Sequence, residues 1–168
     1  MAVRVLQGTV LSAMLVVAAF ADVQTNTWIS GSTDWNATAS YLENRVPSAG
    51  DAVVIPSGVT ATVSVVSTEA ANTEGSSFDV FSKLGRVLTA DATASVVLNI
   101  AEGASVTNFC YIYGKTSGQG TIIKRGLGMI EFGAIGSDYG YDLNLTVEEG
   151  ALALPQVYSS DTGHACYL

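Results

Sequence analysis

The side chains that could perform acid–base catalysis are scattered along this sequence. The candidate carboxylates are Asp79, Asp91, Asp138 and Asp142. Enzymes that cleave polysaccharides hold two carboxylates close together, whereas these four do not recur at a fixed spacing. His164 lies near Asp161 and near Ser159 or Ser160, but no nucleophile-elbow sequence accompanies them. The sequence therefore predicts no enzymatic activity and no catalytic residue.

Aromatic side chains give the remaining signal for binding. They form an N-terminal group and two Tyr-x-Tyr pairs, namely Trp28, Trp35 and Tyr41, then Tyr111 and Tyr113, then Tyr139 and Tyr141. Residues two apart on a strand share one face, so each pair could stack a sugar ring or contact a partner protein. The alternative is that the tryptophans cover one end of the fold and the tyrosines pack inside it. The binding interpretation predicts a ligand or partner surface made by these residues.

The two cysteines, Cys110 and Cys166, allow a single disulfide bond in an oxidising compartment. The alternative is two free, buried thiols. Zinc sites use close pairs of Cys or His, and this chain offers only His164 near Cys166. We therefore predict no metal site and no cofactor.

The length and charge of the chain restrict its class. With 168 residues, a single modest domain is expected. The chain carries 7 basic and 15 acidic side chains, which gives a net charge of −8. Nucleic acids and anionic lipids select clustered Lys and Arg, so we predict no nucleic-acid binding. Cell-surface glycans or other exported proteins are the expected partners.

Residues 1–21 have the three-part organisation of a secretory signal peptide. Arg4 supplies an early positive charge, residues 10–20 are almost entirely apolar, and Ala19-Phe20-Ala21 provides small residues at the cleavage site. We predict cleavage after Ala21, and an uncleaved N-terminal anchor is the alternative. No later segment is apolar enough for a transmembrane segment. The protein is therefore expected to be secreted, extracellular or on the outer cell surface.

The rest of the chain has the periodicity of strands. Residues 60–65 alternate between polar and apolar side chains with period two. Residues 66–74 alone hint at a helical turn, which residues 75–77 end. An all-β fold is the prediction.

A glycine followed by a short β-prone run returns five times, at Gly58, Gly85, Gly103, Gly128 and Gly150. The mean spacing is 23 positions, which lies within the range of solenoid units. The repeat predicts a β-solenoid, with a β-sandwich as the alternative. Equivalent positions of a solenoid stack in columns. One column is predicted to contain Val63, Val87, Val106, Ile130 and Leu152.

Residues 118–132 read GQGTIIKRGLGMIEF, Tyr139-Gly140-Tyr141 follows, and residues 147–154 read VEEGALAL. This stretch resembles the autotransporter-associated β-strand repeat, which has glycine, lysine and aliphatic positions in the same order. The segment from Trp28 to Gly58 is similar to the opening of many exported bacterial β-helical proteins. The resemblance implies a right-handed parallel β-helix of about four to five coils in a secreted or surface-displayed bacterial protein.

The predicted organisation is a signal peptide at 1–21, an N-terminal cap segment at 22–50 and β-helix coils at 51–168. The coils could be a fragment of a longer solenoid. The predicted function is a structural, adhesin-like scaffold without catalytic activity. The alternative is a carbohydrate-binding or polysaccharide-processing β-helix of the pectin-lyase type. Residues 155–168 carry one acidic residue with which to shield a sheet edge, so self-association through the C-terminal coil is expected.

Export can be tested directly at the N-terminus. Because signal peptidase cuts after small residues, protein recovered from the culture medium or the cell surface should begin at Asp22. N-terminal sequencing gives the answer. Replacing Ala19 and Ala21 with Arg should block this cut. A chain that keeps Met1 and stays inside the cell would contradict the prediction.

Overall fold

A computed structural model describes residues 23–107, 116–131 and 144–153. The predicted signal peptide at 1–21 lies outside these residues. Within them, strands are the main secondary structure and helices are few and short. No helix in this part of the chain combines the length and hydrophobicity that crossing a membrane requires.

The elements follow one another as short segments. The strands are β1 (Thr25–Thr27), β2 (Ala52–Ile55), β3 (Thr60–Val65), β4 (Arg86–Thr89), β5 (Ser95–Ile100), β6 (Ser105–Val106), β7 (Thr116–Gly118), β8 (Thr121–Arg125), β9 (Met129–Glu131), β10 (Asn144–Val147) and β11 (Ala151–Ala153). The helices are a 3-10 turn (Thr38–Ser40), α1 (Thr68–Ala71) and α2 (Ser77–Lys83).

These strands form three parallel sheets. Sheet I has the order β1-β2-β4-β7, sheet II the order β3-β5-β8-β10, and sheet III the order β6-β9-β11. The chain visits the sheets in a constant sequence, since β4, β5 and β6 lie in sheets I, II and III and so do β7, β8 and β9. All ladders between the named strands are parallel. The described strands therefore lack the antiparallel sheets that a β-sandwich would need.

The alternation of residues 60–65 is confirmed by β3, in which Ala61, Val63 and Val65 are buried. Successive strand residues point to opposite faces, so these three side chains enter the interior and their neighbours point outward. The parallel register then places Val96 beside Ala61, Ile122 beside Val96, and Leu145 beside Ile122. Sheet II thereby contributes an aliphatic column to the core.

The predicted column of five residues is correct in part. Val106, Ile130 and Leu152 are register partners in sheet III. Val63 instead lies in sheet II and Val87 in sheet I. The prediction is wrong for these two because successive strands of the chain join different sheets. The five glycine runs therefore precede strands that do not all lie in the same sheet.

Three of the five repeat glycines stand at corners with a left-handed backbone, whereas Gly85 and Gly128 do not have a positive φ. Gly103 and Gly150 have φ of +78° and +77° at turns from sheet II to sheet III, and Gly126 has +74° at the equivalent turn. Gly58, with φ of +68°, lies at a turn from sheet I to sheet II. Side chains with a Cβ are disfavoured in this left-handed region, so the corners select glycine.

A pair of helices stands between β3 and β4, where the chain makes no sheet III strand. Helix α1 falls within the predicted helical turn at 66–74, but α2 was not predicted. The signals for α2 are the cap at Ser76, whose side chain accepts from the Asp79 backbone N–H, and the Asp79–Lys83 ion pair at 2.8 Å. Thr68 of α1 accepts the backbone N–H of Ser105, so α1 lies at the edge of sheet III.

The column in sheet III generates a stability prediction. Ile130 is fully buried between Val106 and Leu152, so Ile130→Asp should lower the free energy of unfolding by about 3 to 5 kcal/mol, because it buries an uncompensated charge. Chemical denaturation measures the change. The matched control is Met129→Asp, which places the same charge on the outward face of β9 and should cost about 1 kcal/mol or less. Equal costs would mean that the register is wrong.

Candidate functional site

The N-terminal aromatic side chains form a buried cluster. Trp28, Trp35 and Tyr41 are each at most 1% exposed. The Trp28 and Trp35 rings stack with centroids 4.3 Å apart, and Tyr41 meets Trp28 edge to face at 5.4 Å. Phe81 of α2 packs edge to face on Trp35 at 5.0 Å. Such contacts suit the charge distribution of aromatic rings.

This burial corrects the expectation that Trp28, Trp35 and Tyr41 belong to an exposed ligand surface. Their rings are covered because the apolar area of each is removed from water by the others and by α2. Two of the three polar atoms bond within the protein, since Trp35 Nε1 donates to the Thr62 carbonyl at 2.9 Å and Tyr41 Oη to the Trp35 carbonyl at 2.8 Å. Trp28 Nε1 is buried and has no hydrogen-bond partner among the described residues. Burial, together with the Asp34 carboxylate, raises the pKa of the Tyr41 hydroxyl.

The same segment covers the outer edge of β1. Residues 40–42 run antiparallel to residues 27–29, with Ile29 N donating to the Ser40 carbonyl and Leu42 N to the Thr27 carbonyl. Glu43 accepts from the Thr27 backbone N–H at 2.7 Å. An exposed strand edge carries unpaired N–H and C=O groups that invite another strand. Residues 40–43 satisfy those of Thr27, at the end of β1, and the N–H of Ile29 just beyond it.

The other predicted site residues lie outside the described residues. They are Tyr111, Tyr113, Tyr139 and Tyr141 of the proposed ligand surface, and Cys110 and Cys166 of the proposed disulfide. Of the four scattered carboxylates, Asp79 pairs with Lys83, and Asp91 accepts a hydrogen bond from the Thr93 backbone N–H. Asp138 and Asp142 lie outside the described residues. Asp79 and Asp91 thus have structural roles, at a helix start and at a turn.

A charged cluster that the sequence did not reveal surrounds Asp51. This nearly buried carboxylate accepts from Gln24 N at 3.0 Å, Ser48 N at 2.8 Å and Arg45 Nη2 at 2.9 Å. Burial raises the pKa of Asp51, but these hydrogen bonds and the Arg45 charge outweigh it, and the pKa is lowered from its ordinary value of 3.8. Asp51 thereby joins the start of the first strand to the loop before the second.

A cavity of about 200 Å³ opens beside this cluster, lined in part by Arg45, Ser48 and Asp51. Sites for small organic ligands are typically about 300 to 1,000 Å³. The Asp51 carboxylate is already engaged by three donors. The Asp51 carboxylate therefore holds two loops together by hydrogen bonds.

Lys124 is a second residue whose place the sequence did not predict. It points inward from β8, in register with Leu98 and Val147, and is fully buried. Its Nζ donates to the Gly126 carbonyl and, at 2.8 Å, to the Glu149 carbonyl. The alternation of β8, in which Ile122 and Lys124 share a face, is the signal that could have placed it inside.

The corner around Lys124 joins two successive circuits through complementary charges. Arg125 pairs with Glu148, and the Glu149 carboxylate accepts from Gly126 N at 3.0 Å. Burial lowers the pKa of Lys124, and the Glu149 charge acts in the opposite direction. A Cβ on Gly150 would collide with Lys124 Nζ, so this corner requires glycine. These contacts hold the backbone of the two corners in place and keep the Lys124 side chain buried.

The outer face of sheet II is rich in hydroxyl and amide groups. One register row contains Thr60, Ser95, Thr121 and Asn144. The Thr60 and Ser95 hydroxyl oxygens are 2.9 Å apart and share a hydrogen bond. This row presents small, uncharged polar groups on a protein with a net charge of −8.

Comparison of the chain with known proteins gives no matching protein family, no similar curated protein and no similar solved structure.

The Asp51 cluster predicts acid sensitivity. Because the Asp51 pKa is lower in the folded than in the unfolded protein, its stabilisation is complete above the ordinary pKa of 3.8 and is lost as the pH falls through the folded value. Asp51→Asn should lower the free energy of unfolding at pH 7 by about 2 kcal/mol. It should also flatten the dependence of stability on pH below pH 4, measured by denaturant titrations.

The matched control is Glu131→Gln, which removes a carboxylate from an exposed position on β9. This variant should keep the acid-induced loss of stability of the parent. If Asp51→Asn loses as much stability on acidification as the parent does, Asp51 is not the responsible group.

Proposed function

We propose that the chain is an exported, right-handed parallel β-helix of about four to five coils that serves as a structural, adhesin-like scaffold. The observation that carries the proposal is the recurrence of parallel strands in the order sheet I, sheet II, sheet III, with inward side chains in register. A stack of this kind gains stability from contacts between neighbouring coils and presents extended outer faces.

The packing of the interior supports a scaffold. Aliphatic columns such as Ala61, Val96 and Ile122 fill the space between the sheets, and the aromatic cluster adds to the same core. One outward row of sheet II, made by Thr60, Ser95, Thr121 and Asn144, holds small polar side chains that suit a solvated surface, whereas the next row includes Val97 and Ile123. These features favour a protein whose work is to hold and present a surface.

The resemblance to the autotransporter-associated β-strand repeat supports export. The glycines of the resembling stretch stand at tight corners, where a Cβ on Gly126 or Gly128 would collide with backbone carbonyls of the preceding circuit. Its lysine, Lys124, ties two corners together. Each of these positions thus has a physical reason within a coil.

Binding or processing of carbohydrate is the competing proposal, and the two make different predictions. A scaffold on the cell surface should be labelled by a membrane-impermeant amine reagent on intact producing cells. Purified protein should neither release reducing ends from a panel of plant and microbial polysaccharides nor be retarded by them in affinity electrophoresis.

Variants make this experiment decisive. Retardation that is lost on combining Tyr111→Ala with Tyr113→Ala, but kept in Tyr41→Phe, would replace the scaffold by a carbohydrate-binding protein. Turnover of any polymer would replace it by an enzyme. A chain labelled only after cell lysis would contradict surface display.

A further inference from the structure

The turn that follows β1 carries an acceptor sequence for N-linked glycans. Asn36-Ala37-Thr38 has the pattern Asn-x-Ser/Thr, in which x is not proline. Asn144-Leu145-Thr146 is the only other stretch of the chain with this pattern. In a glycosylated protein the pattern is expected in a surface loop of an exported chain. The structure can therefore distinguish the two stretches.

Asn36 and Asn144 have different backbone settings. Asn36 and Thr38 are both exposed, in the turn between β1 and the 3-10 turn. Asn144 and Thr146 are exposed as well, but they belong to β10, whose backbone pairs with β8. A transferase must take the asparagine amide and the hydroxyl two residues later into one cleft. For Asn144 this would require β10 to leave its ladder, whereas the Asn36 turn can enter without breaking a sheet.

The Asn36 turn is held in place by the residues around it. The Asp34 carboxylate accepts the Asn36 backbone N–H at 2.9 Å and the Ser77 hydroxyl at 2.7 Å. Trp35, between Asp34 and Asn36 in the chain, has its ring fully buried in the aromatic cluster. A short side chain that bonds the backbone two residues later fixes a turn. The acceptor asparagine is therefore presented at the surface by a preformed turn.

The contacts of the Asn36 side chain are compatible with an attached sugar. Its Nδ2 donates to the Gly75 carbonyl at 2.6 Å, in the turn between α1 and α2. A side-chain amide carries two hydrogens on nitrogen, and a glycosidic bond replaces only one of them. The second hydrogen remains available for Gly75. Glycosylation thus costs the folded protein no hydrogen bond at this position.

We propose that Asn36 is the acceptor of an N-linked glycan on the folded, exported chain. In the transfer, Asn36 Nδ2 attacks the anomeric carbon of an oligosaccharide linked to a lipid pyrophosphate. The carbon–nitrogen bond forms, the bond from the anomeric carbon to the pyrophosphate oxygen breaks with its electron pair going to that oxygen, and the amide proton passes to a base of the transferase. The inference relies on export, which is part of the proposed function, because the lipid-linked donor is used outside the cytoplasm.

The first test is glycan transfer to the purified, folded protein. The reaction contains a single-subunit oligosaccharyltransferase and diacetylchitobiose linked to polyprenyl pyrophosphate, and mass spectrometry measures the intact protein. The parent should gain one disaccharide, and Asn36→Gln and Thr38→Ala should each gain none. Thr38→Ser, which keeps the hydroxyl, should be modified like the parent. Circular dichroism checks that every variant folds.

The matched control is Asn72→Gln. Asn72 is another exposed asparagine whose amide donates to a carbonyl, that of Thr68 at 2.9 Å, but it does not begin an acceptor pattern. This variant should gain one disaccharide, and peptide mapping should locate it at Asn36. Modification at Asn144 alone would overturn the proposal. So would a folded protein that stays unmodified while a synthetic peptide of residues 31–41 accepts the sugar.

A second measurement separates the glycan from export. The full-length chain is produced in cells that contain the same transferase and donor, and its mass and N-terminal sequence are determined. A chain that begins at Asp22 and carries one disaccharide supports the proposal. A chain that begins at Asp22 without the sugar overturns the glycan and leaves export intact. A chain that keeps Met1 and stays in the cytoplasm overturns the export on which the proposal relies.

Discussion

The requirement that each backbone N–H and C=O find a partner along a parallel ladder governs this structure. Two parallel strands cannot be joined by a tight turn, so the chain passes through the other sheets before it adds the neighbour of a given strand. One such passage is called a circuit here. A register error of one residue would turn every side chain of a strand to the opposite face. The buried column of Ala61, Val96 and Ile122 therefore fixes the alignment of three circuits at once. The aromatic cluster and the corner contacts both serve this alignment, the former at the first circuit and the latter between later ones.

Lys124 shows how a charge can be accommodated in such a column. Removing an ammonium group from water is costly unless hydrogen bonds replace the lost solvation. Its neighbours Gly126 and Glu149 supply carbonyl oxygens from two successive corners. The arrangement couples side chain and backbone, because the room for Nζ exists only where Gly150 lacks a Cβ. A lysine and a glycine 26 positions apart thus depend on each other.

The sequence predicted the local features of the fold better than the long-range ones. The alternation of β3 and the left-handed glycines at 58, 103 and 150 follow from rules that act within a few residues. Val63 and Val87 were assigned to the wrong column because the sheet that a strand joins depends on the path of the whole circuit. The burial of Trp28 and Trp35 depends on Phe81, which comes from a distant helix, and no spacing in the sequence connects them. Asp51 and Lys124 each combine local partners with one distant partner, which is Gln24 for Asp51 and Glu149 for Lys124.

The helix pair between β3 and β4 has a consequence for how such a chain can change in length. Across this insertion the register partners Thr60 and Ser95 are 35 positions apart, whereas Arg125 and Glu148 are joined across 23. Sheet II stays continuous through both circuits, so the register of its strands accommodates an insertion of this length. The insertion is nevertheless part of the stack, because a replacement segment would have to supply the ring that Phe81 packs on Trp35 and the hydroxyl with which Thr68 accepts from Ser105 N.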